Sequence, residues 1–419
     1  MTRRPTSTEP GALDRAGLRA AVVALSTVQI TSWGVLYYAF AALQASISAD
    51  TGWSAVAVTG AFSLALLVSG AAGVWVGRRI DARGPRVVMT VGSLVAVPGL
   101  LAVATAPDLV VFYAGWVLVG LAMSATLYPP AFAALTRWGG RHRVRALTTL
   151  TLVGGLASTV FAPTASALET VLGWRGAYLV LLLALVVVTA PLHWWGLRHA
   201  WRPATAEGDA SRTTAARTTR SVTRSRPFVL LAAANALTTL SAFAVLVNLV
   251  PMMVERGMAP GLAAVALGLG GVGQALGRLG YARLAAVTTV RGRTVGVMAA
   301  VAVATAALAV APTGGVVFVV LGMVLGLARG VYTLVQATAV TDRWGPTSYG
   351  ALNGVLGAPA LVASAAAPFV GAVLAHLLGG YAAGFLALAG VAALGAALAA
   401  GATLGEPGRR TPSGALPQH

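Results

Sequence analysis

The sequence predicts an all-α integral membrane protein with twelve transmembrane helices in two pseudo-symmetric six-helix bundles around a central cavity. Three observations predict it: the composition, the placement of Arg between apolar stretches, and an internal repeat. The chain has 419 residues, of which 57% are hydrophobic and only 10% charged, with 50 glycines. A soluble protein of this size needs more charge to keep its surface wet. Abundant glycine suits helices that approach closely in lipid.

Crossing a hydrocarbon core of about 30 Å takes roughly 20 apolar residues in a helix. That ruler places spans at 18–47, 55–76, 87–105, 109–136, 146–169 and 174–196, then at 227–254, 260–282, 294–311, 315–341, 347–375 and 380–403. The first stretch is too long for a signal-peptide core and lacks a cleavage site, so it reads as a span. Pro129 and Pro130 should break or kink the fourth span. The segment 197–226 is rich in Thr, Ser, Ala and Arg, has no apolar periodicity, and reads as a disordered cytoplasmic linker. The predicted units are therefore a segment 1–17, a bundle 18–196, the linker, a bundle 227–404 and a tail 405–419.

All 29 basic residues are Arg, a choice that fits a GC-rich genome. With the N-terminus inside, 26 of them fall in cytoplasmic segments: four at or before the first helix, four in loop 2–3, four in loop 4–5, seven in loop 6–7, four in loop 8–9, one in loop 10–11 and two in the tail. The external loops hold only Arg175 and Arg256. The positive-inside rule then predicts a multi-pass protein with both termini cytoplasmic, and a bacterial plasma membrane is the expected location. Trp53, Trp75, Trp138, Trp174, Trp194, Trp195 and Trp344 lie near span ends and read as interfacial belts. The net charge of +18 does not imply nucleic acid, because the Arg residues sit between apolar stretches rather than on one amphipathic face. The partner is the bilayer, and the linker arginines anchor topology or meet anionic lipid.

The halves repeat. "GLAMSATLYPPAFAALTRWG" from Gly120 matches "GLARGVYTLVQATAVTDRWG" from Gly326, and "GRRIDAR" from Gly77 matches "GRLGYAR" from Gly277. Repeated halves about a midplane site are an architecture of secondary transporters.

The loop after the second span reads "GRRIDARGPRVVM" at 77–89. It resembles the loop 2–3 motif of the major facilitator superfamily, Gly-x-x-x-Asp-Arg-x-Gly-Arg-Lys/Arg. Gly77, Asp81, Gly84 and Arg86 match, while Ala82 and Pro85 replace Arg. Gly77 would allow tight helix packing, and Gly84 suits a sharp turn. The resemblance implies a cytoplasmic gate: Asp81 near the N-terminus of the eleventh helix, where a carboxylate favours the dipole, with Arg79, Arg83 and Arg86 as partners. The second copy has Tyr281 in place of Asp81, which weakens any matching latch. "SWGVLYYAF" at 32–40, "DTGWS" at 50–54 and "RGPRVVMTVGSL" at 83–94 resemble the monocarboxylate-transporter-like branch, which includes oxalate–formate antiporter relatives. The resemblance also implies a monomer.

Arg329 lies mid-way along the tenth span, where a cation costs about 2.5–3.5 kcal/mol on insertion scales, so it should face the bundle interior. No Asp or Glu falls in the middle of a span. An unpaired guanidinium there is either a planar, bidentate receptor for a carboxylate or other anion, or a structural contact to backbone near Gly330. Helices 1, 4, 7 and 10 line the cavity in the family, which makes Gln29, Tyr37, Tyr38, Tyr128, Asn235, Asn248, Tyr332 and Gln336 further substrate-binding candidates. Each reads equally as polar glue between helices. The cationic positions the family shows in helices 8 and 11 are not evident, since those spans read as apolar.

There is no cysteine, and the five histidines have no metal-ligand spacing, so no cofactor or metal is predicted. No nucleotide-binding motif, carboxylate pair or activated nucleophile points to an enzyme. The predicted function is secondary active transport of a small organic solute, a carboxylate or other anion, by alternating access, as proton symport or exchange against a counter-anion. The alternative is export of drug-like amphiphiles. It is disfavoured by the lack of an acidic cavity residue and by "GGLASTVFAP" at 154–163, where Ala162 interrupts the antiporter Gly-Pro.

Overall fold

A computed structural model describes residues 12–201, 221–312, 315–344 and 349–402. Residues 1–11 of the predicted segment 1–17, residues 202–220 of the predicted linker, and the predicted tail 405–419 lie outside the described residues. The described chain forms twelve long helices. In the first half these are α1 (Arg15–Thr51), α2 (Ala55–Arg83), α3 (Pro85–Thr105), α4 (Leu109–Trp138), α5 (145–172) and α6 (174–196). In the second they are α7 (Arg226–Glu255), α8 (Pro260–Val287), α9 (Val290–Val310), α10 (Gly315–Thr338), α11 (Tyr349–Leu378) and α12 (Tyr381–Gly401). A short helical turn, Thr341–Trp344, follows α10. α5 and α6 run on almost continuously and are separated by Gly173, whose φ of 67° and ψ of 171° break the ladder.

Each helix end is written locally. Ser54 and Asp108 accept hydrogen bonds from the amides of Ala57 and Val111 at the starts of α2 and α4. Gly84 turns α2 into α3 with a φ of 84°, which a side chain would resist, and Pro85 opens α3 at the position where its missing N–H costs nothing. The predicted break in α4 is present: Leu127 leaves helical geometry, and a second segment, Tyr128–Trp138, begins with Pro129 and Pro130 in its first turn. Residues 197–201, assigned from sequence to the linker, instead pack on the first bundle. Trp138 Nε1 donates to the Ala200 carbonyl at 3.2 Å, and the Trp138 and Trp201 rings meet edge to face at 5.9 Å.

Small residues bring the helices together. Gly270 of α8 faces Gly322 and Gly326 of α10, Gly273 and Gly277 lie against the backbone of Met323 and Leu327, and Gly330 lies against that of Gln274. A Cβ on Gly326 would sit 2.8 Å from the Gly270 carbonyl carbon, and one on Gly330 2.8 Å from that of Gln274. No side chain fits between two backbones that close, which is how lipid-embedded helices gain dispersion contact. In the first half Gly120 of α4 lies against the Ala65 backbone of α2 in the same way. Large apolar side chains such as Val110, Leu183, Val187 and Val303 stand exposed around the outside. Their solvent is lipid.

The ends of the bundle differ. Following the helices in order, most of the described arginines fall at one end. At the Arg-poor end the halves are tied by Gln44 of α1 donating to the Val247 carbonyl of α7, and by the Phe369 amide of α11 donating to Ser63 Oγ of α2 at 3.0 Å. Deeper, Thr159 Oγ1 of α5 donates to the Gly268 carbonyl of α8 at 2.7 Å. Toward the Arg-rich end the described hydrogen bond between halves is Arg278 to the Thr151 carbonyl, at 2.5 Å.

Candidate functional site

α1 is interrupted by a π-helical turn, Gly34–Tyr38, between its two α-helical stretches. Tyr37 and Tyr38 lie in this turn and are both buried, and a turn of this kind is common at functional sites. Gly34 permits it, because a Cβ there would lie 2.8 Å from Cβ of Phe161 on α5. Tyr37 is boxed by the rings of Trp33 (5.3 Å), Tyr38 (5.3 Å), Phe62 (5.1 Å) and Phe243 (6.5 Å). Its hydroxyl is buried without a hydrogen-bond partner among the described residues. Trp33 continues the aromatic wall to Tyr128, at 5.2 Å.

Arg329 is 8% exposed and projects from α10 toward this wall. Its guanidinium carbon lies 5.4 Å from the centroid of Phe243, and it interacts electrostatically with Tyr38 and Tyr37. Among the described residues it forms no ion pair. Arg329, Tyr38, Ser158, Leu246, Gln274 and Leu325 line a narrow cavity of about 10 Å³, room for about one water. In this conformation the centre is nearly closed.

The eighth helix corrects the expectation that it offers no cation. Arg278, counted from sequence in loop 8–9, lies within α8, because that helix runs on to Val287. One guanidinium nitrogen donates to the Thr151 carbonyl of α5, while Nε is buried without a partner among the described residues. It interacts with Tyr128 and with Arg329. Two glycines of α5 make room for this pair. A Cβ on Gly154 would sit 2.6 Å from the Tyr128 hydroxyl, and one on Gly155 2.6 Å from the Arg278 guanidinium. Arg278 falls in "GRLGYAR", the second copy of the loop 2–3 motif, which reads as a weakened latch and not as a cavity position. The signal was only a charge within a stretch already read as a span.

The other candidates are engaged between helices. Gln29 of α1 donates at 2.8 Å to the Thr126 carbonyl, which the break in α4 leaves without its helical donor. Asn248 of α7 donates to the carbonyls of Ala244 (2.9 Å) and of Pro368 on α11 (3.3 Å). Tyr332 donates to the Asn235 carbonyl at 2.9 Å, and Gln336 donates to both Tyr332 (2.9 Å) and Thr239 (3.0 Å), tying α10 to α7. The structure thus brings together Arg329, Tyr37, Tyr38 and Tyr128, adds Arg278, and uses Gln29, Asn235, Asn248, Tyr332 and Gln336 as clamps.

The gate motif is partly visible. Gly77 faces open space, with nothing within 4 Å of an added Cβ, so the tight packing expected there is absent. The Asp81 side chain lies outside the described residues, and Arg83 is exposed. Trp201 covers Gly84, and Arg86 stacks on Trp194 at 4.1 Å while donating to its carbonyl at 2.7 Å. In the second copy Tyr281 bonds Thr338 at 2.7 Å. The acid has moved to Asp342, after α10, which pairs with Arg293 at 2.6 Å; Arg343 donates to Thr294 at 2.9 Å. Burial, reinforced by Arg293 and opposed by Asp342, holds the Arg343 guanidinium below its usual range.

Comparison with known proteins agrees with this architecture. Residues 25–317 match the family model of the Major Facilitator Superfamily. Monocarboxylate transporter 11 of Mus musculus is 32% identical over 240 residues, 56% of this chain and 51% of the mouse protein. The Homo sapiens protein of the same name is 32% identical over 234 residues, 55% of this chain and 47% of its own length. The chain therefore spans about half the length of these relatives. Among solved structures, a bacterial homolog of the human lysosomal transporter Spinster, inward-facing and unoccupied, aligns with a TM-score of 0.77 over 93% of this chain and 98% of its own, at 14% identity. Its inward-facing, occupied form aligns with a TM-score of 0.68 over 94% and 97%, at 15% identity. With the matching family model, the twelve-helix arrangement and the repeated halves, the chain belongs to the Major Facilitator Superfamily.

Proposed function

We propose that this protein carries a small organic anion, a monocarboxylate, across a bacterial plasma membrane by alternating access, with its Arg-rich end in the cytoplasm. Secondary transport of small solutes follows from the family. The anion reading rests on one observation: Arg329 is buried at the centre, Arg278 lies on the helix packed against its own, and neither forms an ion pair among the described residues. Two like charges in a low-dielectric centre repel, and a carboxylate between them relieves that repulsion while accepting charge-assisted hydrogen bonds. The names of the mouse and human relatives support the same substrate class.

The described spans hold no mid-membrane Asp or Glu to carry a coupled proton. His193 is buried, but it bonds Ser93 at 2.8 Å between α6 and α3, away from the arginines. Coupling then takes one of two forms: a proton carried on the substrate carboxylate itself, or exchange against a second anion. Arg83, Gly84, Arg86 and Asp81 serve in this scheme as the cytoplasmic gate.

Thermal melting of the purified protein tests the site. A ligand at about 100 times its Kd stabilises the folded state by about 2.7 kcal/mol. Acetate or lactate should raise the melting temperature of the wild type but not of Arg329→Gln or Arg278→Gln. Stabilisation by tetraphenylphosphonium alone, unaffected by either substitution, would replace this reading with export of amphiphiles.

A further inference from the structure

A larger cavity lies away from the central arginines, at the Arg-rich end of the first bundle. Its volume is about 500 Å³, within the range of small-ligand pockets. It is formed by the first two turns of α1, the first turn of α5 and the connection before it. Arg15, Arg19 and Arg145, all exposed, line its rim, and Leu18, Val22 and Ala146 give it an apolar floor. Among the described residues no acidic side chain lines it. The adjacent carboxylate, Asp14, caps α1 by accepting from the Gly17 amide at 2.9 Å. None of the three arginines forms an ion pair among the described residues.

Three neighbouring cations without a counter-charge raise the local positive potential and favour an anion there. Arginine suits an oxyanion head through its planar fork. The floor asks for something more than an inorganic ion, since phosphate or sulfate leaves the apolar walls unsatisfied. The depth of the cavity also has a direction. Arg15, Arg19, Val22, Ser26 and Trp33 follow one another at helical spacing on a single face of α1. Trp33 at the far end packs on Tyr128, about 27 Å along the helix from Arg15 at 1.5 Å per residue. The cavity opens on the helix face that leads to the central aromatic wall.

We infer that this cavity is a second binding site, for an amphipathic anion with one oxyanion head and an apolar body. Arg15, Arg19 and Arg145 hold the head, and Leu18, Val22 and Ala146 take the body. This chemistry does not depend on what the central arginines bind. Its ligand has two sources, the headgroup and upper chains of an anionic phospholipid or a free amphipathic carboxylate, and both present the same groups.

The test uses the full chain, purified and delipidated in neutral detergent, with two probes. Octanoate is titrated against its neutral analogue octanol by thermal melting, and bound phosphatidylglycerol is counted against phosphatidylethanolamine by native mass spectrometry. The site predicts that octanoate or phosphatidylglycerol binds the wild type, and which of them does identifies the source. Arg15→Gln/Arg145→Gln should weaken that binding at least tenfold. Val22→Trp, which fills the floor and keeps every charge, should weaken it similarly if it remains monodisperse. Octanoate is therefore titrated in the Arg278→Gln/Arg329→Gln background, where the central site no longer contributes, and phosphatidylglycerol binding should be the same in that background as in the wild type, so failure here and failure of the central anion site are separable. Binding of neither probe, or binding equal in wild type and both cavity variants, overturns the inference.

Discussion

Arg329 and Arg278 carry opposite consequences for stability and for binding. A buried guanidinium without a carboxylate partner has lost hydration it does not recover, so its removal need not destabilise the fold. Arg329→Gln should therefore melt at the wild-type temperature or higher without ligand, yet bind carboxylates at least tenfold more weakly, about 1.4 kcal/mol. Tyr332→Phe should do the reverse. It removes the donor to the Asn235 carbonyl and one acceptor of Gln336, at a cost of about 0.5–1.5 kcal/mol, with carboxylate affinity unchanged. Melting curves with and without acetate separate the two behaviours. Arg329 was legible in the sequence because a charge in mid-span has few explanations. Arg278 was not, because near the Arg-rich end a cavity-facing arginine and a loop arginine look alike. Gln29, Asn248, Tyr332 and Gln336 drew attention as polar side chains in lipid. Their partners on other helices lie 93 to 120 residues away, which no local pattern reveals.

At the scale of helices, two features decide what changes are tolerated. The facing glycines of α8 and α10 leave backbone against backbone, so Gly326→Val must push the pair apart. A penalty of about 1–3 kcal/mol is expected for such overpacking, read as a lower melting temperature, with loss of carboxylate binding because Arg278 and Arg329 sit on these two helices. The ion pair after α10 is the second feature. Arg293 is 7% exposed, and Asp342→Asn would leave its charge without a carboxylate. Since Asp342 remains 26% exposed, part of the penalty is screened, and a loss of about 1–2 kcal/mol is expected. Helix number and the break at Pro129 were readable from apolar length and proline chemistry. The motif was readable as a family mark but not as geometry: Gly77 matches it and faces open space, whereas Asp342 matches nothing and makes the ion pair.

In the whole molecule, the halves meet through α1–α7 and α2–α11 at the Arg-poor end and through α5–α8 deeper in. Alternating access requires the first two contacts to separate. The chain has no cysteine, so Gln44→Cys/Val247→Cys provides a pair that a bifunctional thiol reagent can join without background. Cross-linking should stop transport; unchanged transport would mean that this seal does not open. The repeat foretold two similar halves, but not which end is closed, since that depends on a few bonds between residues far apart in sequence. The most direct test of the central claim is counterflow of radiolabelled lactate and acetate into proteoliposomes for wild type, Arg278→Gln and Arg329→Gln. The account predicts uptake against an unlabelled internal carboxylate in the wild type, reduced at least tenfold in each variant. Equal uptake in all three, or uptake of an amphiphilic cation in place of the carboxylates, would contradict it.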